Sequence, residues 1–353
     1  MKTNRMDKGL AWMLKYENVA WYENGAVKIL DRRVYPIESK FVTCHHHTEV
    51  AQAIADMVTQ SAGPYTAAGM GMALAAYESR TMNAKDQYAY LVQAARCIES
   101  ARPTTRDRMH QVVEGCLAIA KDHLGVSCDE AIFNHTVEAM NHRYERINEV
   151  AKYLIKKMPK EATVMTQCFG ETIIGMMIRQ AHDQGIDLKM VCPETRPFLQ
   201  GARFTASCAK DMGVDVTVIT DNMPAFYLSH EKVDLFTSAA DVICMDGSII
   251  NKVGTLQIAL CAKHFGIPYY CTGIPDINHK DAKGVEIEFR DPEETLSAHH
   301  IKHTLEGVKG YYPAFDITPP ELVTEIITDQ GAFKPEDLGK YKTDNSNFYN
   351  FAV

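Results

Sequence analysis

Residues 161–193 decide the fold, and they read EATVMTQCFGETIIGMMIRQAHDQGIDLKMVCP. The apolar run ATVMTQC (162–168) predicts a buried strand, TIIGMMIRQAHDQG (172–185) has the spacing of a helix, and LKMVCPE (188–194) predicts a second strand. A strand, a helix and a strand in this order form a right-handed βαβ unit, whose two strands lie parallel in one sheet. Gly185 stands where a glycine typically ends the helix.

The same alternation continues to about residue 273. The helical patterns and apolar runs are, in order, QGARFTASCAKDMG, VDVTVITD, PAFYLSHEKV, ADVICMD, KVGTLQIALCAKHFG and IPYYCTG. Gly213 and Gly266 stand at two of the predicted helix ends. The pattern predicts an α/β fold whose C-terminal domain is Rossmann-like, with a mostly parallel sheet covered by helices on both faces. The prolines of the tail from about residue 290 predict a loop-rich region.

The N-terminal half has a different pattern. Residues 17–43 predict short strands around an Asn24-Gly25 turn, and the region from about 48 to 123 is helical in spacing. Its small-residue segment SAGPYTAAGMGMALAAYESR (61–80) allows helices to pack closely. We therefore predict a smaller, mostly helical N-terminal domain with a small β-region at 1–127, a long connecting helix at 128–160, and the Rossmann-like catalytic domain at 161–353.

The composition narrows the class of function. With 37 basic and 45 acidic residues the net charge is −8, which argues against binding to nucleic acid or to an anionic membrane. No apolar run approaches the roughly 18 residues that a membrane-spanning helix needs. The ten cysteines form no CxxC pair and no signal peptide is visible, which favours free thiols and a cytoplasmic location.

Polar residues follow the predicted strands of the sheet. In open parallel sheets, ligands bind beyond the carboxyl ends of the strands. The residues at these ends are Cys168, Glu194, Asp221, Asp246 and Thr272-Gly273. Neither GxGxxG after the first strand nor the pattern GxxxxGK[ST] is present, which disfavours a nicotinamide enzyme and an NTPase.

Two segments have the features of an anion site. PETRPFLQGARF (193–204) places Thr195, Arg196, Gln200 and Arg203 around a predicted helix start, and GSIINKVGT (247–255) leads Asn251 and Lys252 towards the next helix. Backbone amides at a helix start bind phosphate together with a cation. Arg196 is equally suited to a structural pairing. The run His45-His46-His47 is interpreted as solvated surface, and no metal site is predicted.

At these residues the chain resembles the methylthioribose-1-phosphate isomerases, which share a fold with ribose-1,5-bisphosphate isomerase and with regulatory subunits of initiation factor 2B. The segments that carry the resemblance are NGAVKILDRRVYP (24–36), AQAIADMV (51–58), SARPT (100–104), TRPFLQGARFTA (195–206), ITDNM (219–223), INKVGT (250–255) and IEFRDPEE (287–294). TRPFLQGARFTA and NKVGT are the most specific of these.

The resemblance implies a catalytic Cys168 and a catalytic Asp246, with Arg102, Gln200, Asn251 and Lys252 binding the substrate. Two departures stand out. Where the family has Arg-Gly-Ala-Pro, with an Arg that contacts the substrate phosphate, this chain has Gln60-Ser61-Ala62-Gly63-Pro64. The loop between Asp246 and Asn251 is also shorter than in the family. These departures indicate a divergent branch, with 5-deoxyribose 1-phosphate as an alternative substrate.

The activity that the resemblance implies is an aldose–ketose isomerisation, as in methionine salvage, without cofactor and in a homodimer. A phosphorylated pentose, 5-substituted ribose 1-phosphate, would become the ribulose 1-phosphate. Asp246 would handle the oxygens and Cys168 would move the carbon-bound proton, or would assist a hydride shift. A non-catalytic subunit like those of initiation factor 2B and a ribose-1,5-bisphosphate isomerase are the alternatives.

Overall fold

The computed structural model of the chain describes residues 5–102, 106–298 and 301–342. The chain divides into two compact units inside one long helix, between Arg146 and Ile147. The helices of the first unit are α1 (Tyr16–Val19), α2 (His47–Ala55), α3 (Gly63–Glu78), α4 (Ala84–Glu99), α5 (Arg106–Lys121) and the start of α6 (Cys128–Ile155). No helix in these described ranges is both long and apolar enough to cross a membrane.

The first unit contains the predicted strands. β1 (Ala20–Glu23) and β2 (Ala26–Leu30) pair antiparallel, and β2 pairs with β3 (Phe41–Cys44). Asn24 and Gly25 both have positive φ, at 52° and 75°, as a tight two-residue hairpin turn requires. The predicted turn is therefore confirmed.

Helix α3 is the centre of the first unit. All of its residues from Gly63 to Ala76 are buried. A Cβ on Gly69 would lie 2.6 Å from the Thr136 side chain on α6, so only a glycine allows the two helices to approach this closely. The small-residue segment thus packs as the sequence predicts.

The second unit is built on the predicted parallel sheet. Its elements are β4 (Glu161–Met165), α7 (Glu171–Asp183), β5 (Asp187–Pro193), α8 (Ala206–Asp211), β6 (Asp215–Ile219), α9 (Pro224–His230), β7 (Leu235–Ala239), β8 (Val242–Ile243), β9 (Ile249–Lys252), α10 (Thr255–His264), β10 (Tyr269–Thr272), β11 (Ser297–Ala298), β12 (Ile301–Lys302), β13 (Phe315–Thr318), β14 (Glu325–Thr328) and β15 (Gly331–Phe333). The α/β prediction is confirmed.

The order of the strands in the main sheet is β15-β14-β10-β7-β4-β5-β6, and only the β14–β15 pair is antiparallel. The chain starts at β4 and proceeds through β5 to β6 at one edge. It then returns to β7, on the other side of β4. β4 and β7 therefore flank the point at which the strand order reverses, where such sheets form a crevice beyond their carboxyl ends.

One sequence prediction for this unit is wrong and another is incomplete. The fourth sheet strand is not ADVICMD (240–246) but Leu235–Ala239, and β8 pairs instead with β9 in a separate small sheet with β13. The loop-rich tail after residue 290 also contributes two strands, β14 and β15, to the main sheet. Within this sheet β7 and β14 pair with strands that lie far away in the sequence.

A half-buried carboxylate caps helix α10. Asp316 on β13 accepts hydrogen bonds from the backbone N–H groups of Gly254, at 2.7 Å, and Leu256, at 3.2 Å. Burial raises the pKa of Asp316 to about 6, although these two N–H groups and the Lys252 ammonium oppose the shift. Sequence reasoning did not identify this residue.

Asp316→Asn should change how stability depends on pH. The folded protein holds a proton on Asp316 up to a pKa of about 6, whereas the unfolded chain loses it near 3.8, so the parent loses stability as the pH rises through this window. The loss is about 2 kcal/mol between pH 4.5 and 7, and the asparagine variant lacks it. Urea unfolding across this range measures the effect, and parallel profiles for parent and variant would contradict it.

Candidate functional site

Cys168 and Asp241 follow the two strands that flank the reversal of strand order. Cys168 lies three residues after the end of β4, and Asp241 lies two residues after the end of β7. The two strands pair in parallel, with Met165 beside Phe236, so their carboxyl ends meet at the same edge. Cys168 is partly accessible, whereas Cys192, Cys208, Cys244 and Cys271 of the same unit are buried. The thiol is thus placed where a ligand of this sheet would bind.

The backbone of Cys168 is held in an unusual conformation. Its φ is +58°, a left-handed value that costs a non-glycine residue about 1 kcal/mol or more. The Cys168 N–H donates to Thr195 Oγ1 at 3.2 Å, and Thr205 Oγ1 donates to the Cys168 carbonyl at 2.5 Å. Two threonines from the TRPFLQGARFTA segment therefore hold both backbone groups of this cysteine.

Thr195 is itself held by a carboxylate. It too has a left-handed φ, +64°, and its N–H donates to Asp221 Oδ1 at 2.7 Å. The next N–H, that of Arg196, donates to the second oxygen of Asp221 at 2.6 Å. Asp221, which the sequence places at a strand end, thus supports the loop on which the position of Cys168 depends.

The charges around the Cys168 thiol oppose one another. Burial raises the pKa of the thiol to about 11, and the Asp241 carboxylate acts in the same direction. Lys252, the Phe169 N–H and Arg290 favour the thiolate and limit the rise in pKa. The carboxylate that acts on the thiol is therefore Asp241, five residues before the predicted Asp246.

Asp246 lies in a separate turn. The prediction that Asp246 ends a strand of the main sheet is wrong, because the strand in question, β7, ends at Ala239. The Asp246 side chain is exposed, and its two oxygens accept hydrogen bonds from the backbone N–H of Ser248, at 2.9 Å, and from its hydroxyl, at 3.0 Å. Beside it, a Cβ on Gly247 would lie 2.5 Å from Pro335. These contacts give Asp246 a structural task in the turn.

Asn251 and Lys252 lie at the end of β9, which leads into α10 as the sequence predicts. Lys252 is only 4% exposed, and its ammonium lies 4.8 Å from the centre of the Phe315 ring and 5.9 Å from that of Tyr312. Asn251 Nδ2 donates to Thr255 Oγ1 at 3.0 Å, which ties its amide to the start of α10. Lys252 is therefore a buried cation that acts on the Cys168 thiol. Asn251 links β9, the strand that carries Lys252, to the start of α10.

The remaining predicted ligands differ in position. Gln200 is buried directly before a short π-helical turn, Gly201–Thr205. Arg196 donates to the carbonyl oxygens of Glu294 and Ser297, so it has the structural pairing that the sequence left open. Arg102 lies in the first unit, partly exposed, and the residues that follow it, 103–105, lie outside the described residues.

The histidine run is surface at His45 and His46, whereas the His47 side chain is only 12% exposed at the start of α2. His46 Nδ1 and His47 Nδ1 lie 2.9 and 2.7 Å from the two oxygens of Glu78, and His46 is exposed. Within the part of the chain that the structure describes, no group of three or more His, Cys, Asp or Glu side chains is arranged to hold a metal ion.

Sequence reasoning missed four residues of this site: Asp241, Arg290, Tyr312 and Phe315. Asp241 would have been found if the strand LFTSA (235–239) had been recognised, since it follows that strand directly. The other three come from the tail that the sequence pattern assigned to loops. IEFRDPEE contains Arg290 and was quoted only as part of the resemblance.

Comparison with known proteins shows the family of the chain. Residues 60–335 match the Initiation factor 2 subunit family. A methylthioribose-1-phosphate isomerase of Nostoc punctiforme is 33% identical over 341 residues, which cover 91% of this chain and 95% of the relative. The crystal structure of 5-methylthioribose 1-phosphate isomerase from Pyrococcus horikoshii OT3 superimposes with a TM-score of 0.80 at 29% identity, covering 91% of this chain and 94% of that one.

A second similar solved structure is an initiation factor subunit rather than an isomerase. The translation initiation factor eIF-2B, subunit delta, from A. fulgidus has a TM-score of 0.79 and 30% identity, covering 90% of this chain and 96% of that one. Fold and coverage alone therefore do not separate the two kinds of relative. The chain belongs to the Initiation factor 2 subunit family, and within it to the methylthioribose-1-phosphate isomerases that match nine tenths of its length.

Proposed function

We propose that this isomerase converts a 5-substituted ribose 1-phosphate into the corresponding ribulose 1-phosphate, with Cys168 and Asp241 as its acid–base groups. The observation that supports the proposal is the placement of a thiol and a carboxylate at the carboxyl ends of β4 and β7, close enough for the carboxylate to shift the pKa of the thiol. A purely regulatory subunit needs no such pair. Asp241 takes the role that the sequence assigned to Asp246, because Asp246 caps its own turn.

The sugar ring must open before the carbon chemistry begins, since the anomeric phosphate locks the substrate as a furanose. The acid form of Asp241 gives its proton to the ring oxygen as the bond from that oxygen to C1 breaks. The phosphate-ester oxygen on C1 shares the positive charge that results. The C2–H bond becomes acidic as a consequence.

Cys168 then moves the carbon-bound proton. Its thiolate takes the proton from C2, and the electron pair of that C–H bond forms the C1=C2 double bond of an enol phosphate. The thiol returns the proton to C1, while the Asp241 carboxylate takes the proton of the C2 hydroxyl and a ketone forms at C2. Both groups end in the protonation state in which they began.

Four further residues are proposed to bind the phosphorylated sugar: Arg102, Gln200, Asn251 and Lys252. Lys252 has the strongest structural support, because its buried ammonium lies beside the thiol. A buried cation there would attract the phosphate on C1. Asn251 would act through the backbone of β9, since its amide is already bonded to Thr255.

The group on C5 is proposed to be small and apolar, either methylthio or hydrogen. The resemblance implies an arginine where this chain has Gln60, whose backbone carbonyl oxygen accepts a hydrogen bond from the buried Arg32 at 2.6 Å. A neutral side chain at position 60 cannot form an ion pair with a second phosphate on C5. Methylthioribose 1-phosphate and 5-deoxyribose 1-phosphate are thus favoured over ribose 1,5-bisphosphate.

Three variants test the assignment of the acid–base pair. Each variant is incubated with each of the three sugar phosphates. Cys168→Ser and Asp241→Asn should lower kcat at least about 100-fold, since each substitution removes a proton-transfer group. Asp246→Asn should keep kcat within about threefold and lose about 1 kcal/mol of stability, as expected for a weakened turn hydrogen bond. Ketose formation is the readout. Full activity of Asp241→Asn with an inactive Asp246→Asn would restore the original assignment, and no ketose from any sugar would favour the regulatory alternative.

The proton route predicts isotope exchange. In D2O the ketose should carry deuterium on C1, because the proton on the Cys168 thiol exchanges with solvent before it is returned. Mass spectrometry of the product measures the incorporation. A product without deuterium, formed at the full rate, would indicate a hydride shift between C2 and C1 instead.

The protein is proposed to be a cytoplasmic homodimer. All ten cysteines are free, which suits a reducing compartment. Helices α9 and α10 are in contact and expose large apolar side chains. Phe226 on α9 is 67% exposed, Met223 directly before α9 is 44% exposed, and Leu260 on α10 is 52% exposed. A group of large apolar side chains of this kind is typical of a protein interface.

Leu260→Asp should convert a dimer into a monomer, because a carboxylate would be buried in the interface. Light scattering after size-exclusion chromatography measures the mass. Leu305→Asp is the matched control, since Leu305 is also exposed in the same unit but lies outside α9 and α10, and it should leave the mass unchanged. A monomeric parent protein would refute the dimer.

A further inference from the structure

The segment IEFRDPEE has no role in the reaction described so far. Its residues Glu288 and Arg290 form a short ladder with the chain before β13: the Arg290 N–H donates to the Tyr312 carbonyl at 3.0 Å, and the Ala314 N–H donates to the Glu288 carbonyl at 2.8 Å. This ladder fixes the backbone of the segment close to the residues that surround Lys252.

A series of hydrogen bonds links this ladder to the catalytic cysteine. The Val253 N–H donates to the Ala314 carbonyl at 3.1 Å, and the side chain of Gln167 donates to the Val253 carbonyl at 3.0 Å. Gln167 is the residue directly before Cys168. The segments that carry Cys168, Lys252 and Arg290 are therefore joined by direct bonds.

The Arg290 guanidinium is fixed on two sides. Its Nε donates to Glu288 Oε1 at 2.9 Å, and its centre lies 5.7 Å from the centre of the Phe315 ring, the ring that also faces the Lys252 ammonium. The Arg290 side chain is only 12% exposed. Burial lowers the pKa of Arg290, but the Glu288 carboxylate outweighs it and the pKa is raised overall, so the guanidinium stays charged.

The charged and titratable groups that face the thiol come from four parts of the chain. They are Lys252 on β9, Arg290, Asp241 after β7, and the buried Tyr312, whose pKa is raised by burial and influenced by Cys168. The two cations favour the thiolate, and Asp241 opposes it. A thiolate at this place therefore depends on the cations that are held beside it.

We propose that Arg290, held in place by Glu288 and Phe315, is a positioning residue that stabilises the thiolate of Cys168. Lys252 has a second task in binding the phosphate, and the negative charge of a bound phosphate would offset its ammonium. Arg290 is tied to the protein by its own ion pair and keeps its place whether or not substrate is bound. The proposal rests on the proposed role of Cys168 as the group that moves the carbon-bound proton.

The test is the rate at which iodoacetamide alkylates Cys168 in the full-length protein, followed by peptide mass spectrometry at pH 8.5. Only the thiolate reacts, so the rate reports how readily the thiol ionises. Arg290→Gln should slow alkylation of Cys168 about 3- to 10-fold, and Arg290→Lys, which keeps the charge, should restore at least half of the rate. Cys97 and Cys261, which are also partly accessible, provide internal reference thiols in the same sample.

Arg196→Gln is the matched control. Arg196 ties down the neighbouring residues Glu294 and Ser297 through backbone bonds, so this variant loosens the same region without removing Arg290. It should leave the rate within twofold of the parent. Arg290→Met replaces the glutamine variant if that variant fails to fold, as judged by circular dichroism and by the rates of the reference thiols.

Each outcome has one meaning. Alkylation of Cys168 at the parent rate in the folded neutral variant would overturn the proposal, and so would equal losses in the lysine and neutral variants. Slower alkylation in a protein that converts none of the sugar phosphates would uphold the effect of Arg290 on the thiol while the proposed function fails. In an active enzyme the neutral variant should lower kcat and shift its pH profile upwards, with KM little changed.

Discussion

The site depends on one topological constraint, the reversal of strand order at β4. Because β5 lies on one side of β4 and β7 on the other, the strand order reverses between β4 and β7, and open sheets of this kind bind ligands beyond the carboxyl ends at that point. Cys168 comes from the loop after β4 and Asp241 from the loop after β7. Two residues that are 73 positions apart in the sequence are therefore brought to one place by the pairing of two buried strands.

The second requirement is local, and it concerns how a cysteine is presented from such a loop. A left-handed residue belongs to neither a helix nor a strand, so its N–H and carbonyl need partners elsewhere. Thr195 and Thr205 supply them, and Asp221 holds Thr195 in a left-handed conformation of its own. Side chains of the segment TRPFLQGARFTA therefore bond to the backbone of Cys168. At Gly201 a Cβ would lie 1.9 Å from the Pro193 carbonyl oxygen, which leaves glycine as the residue that fits there.

The predictions from sequence succeed where local pattern is sufficient. The runs around β4, β5, β6 and β10 are rich in apolar residues, and Gly185, Gly213 and Gly266 precede three of them, so the parallel sheet and the position of Cys168 follow from them. β7 was missed because LFTSA contains two polar residues, which are buried only because Thr237 bonds to the Tyr270 carbonyl and Ser238 to the Tyr269 hydroxyl.

The neighbouring ADVICMD has the stronger strand pattern, but its residues Val242 and Ile243 pair with β9 in a small sheet that β13 completes. β9 follows β8 after a few residues, but β13 lies some seventy residues later, and local pattern carries no information about it. The shift of the strand from LFTSA to ADVICMD moved the predicted acid from Asp241 to Asp246. For the same reason the tail, which contributes Arg290, Tyr312 and Phe315, could not be connected with Cys168 in advance.

The electrostatics of the pair set a condition on any proton route. A thiol with a pKa of about 11 is ionised in only about one molecule in several thousand near pH 7.5. The Asp241 carboxylate raises the pKa of the thiol further, so a thiolate forms there only where other groups oppose this effect. Lys252 and Arg290 do so, because both cations favour the thiolate. This gives a physical reason for a buried lysine and a mostly buried arginine to share one aromatic ring next to a cysteine.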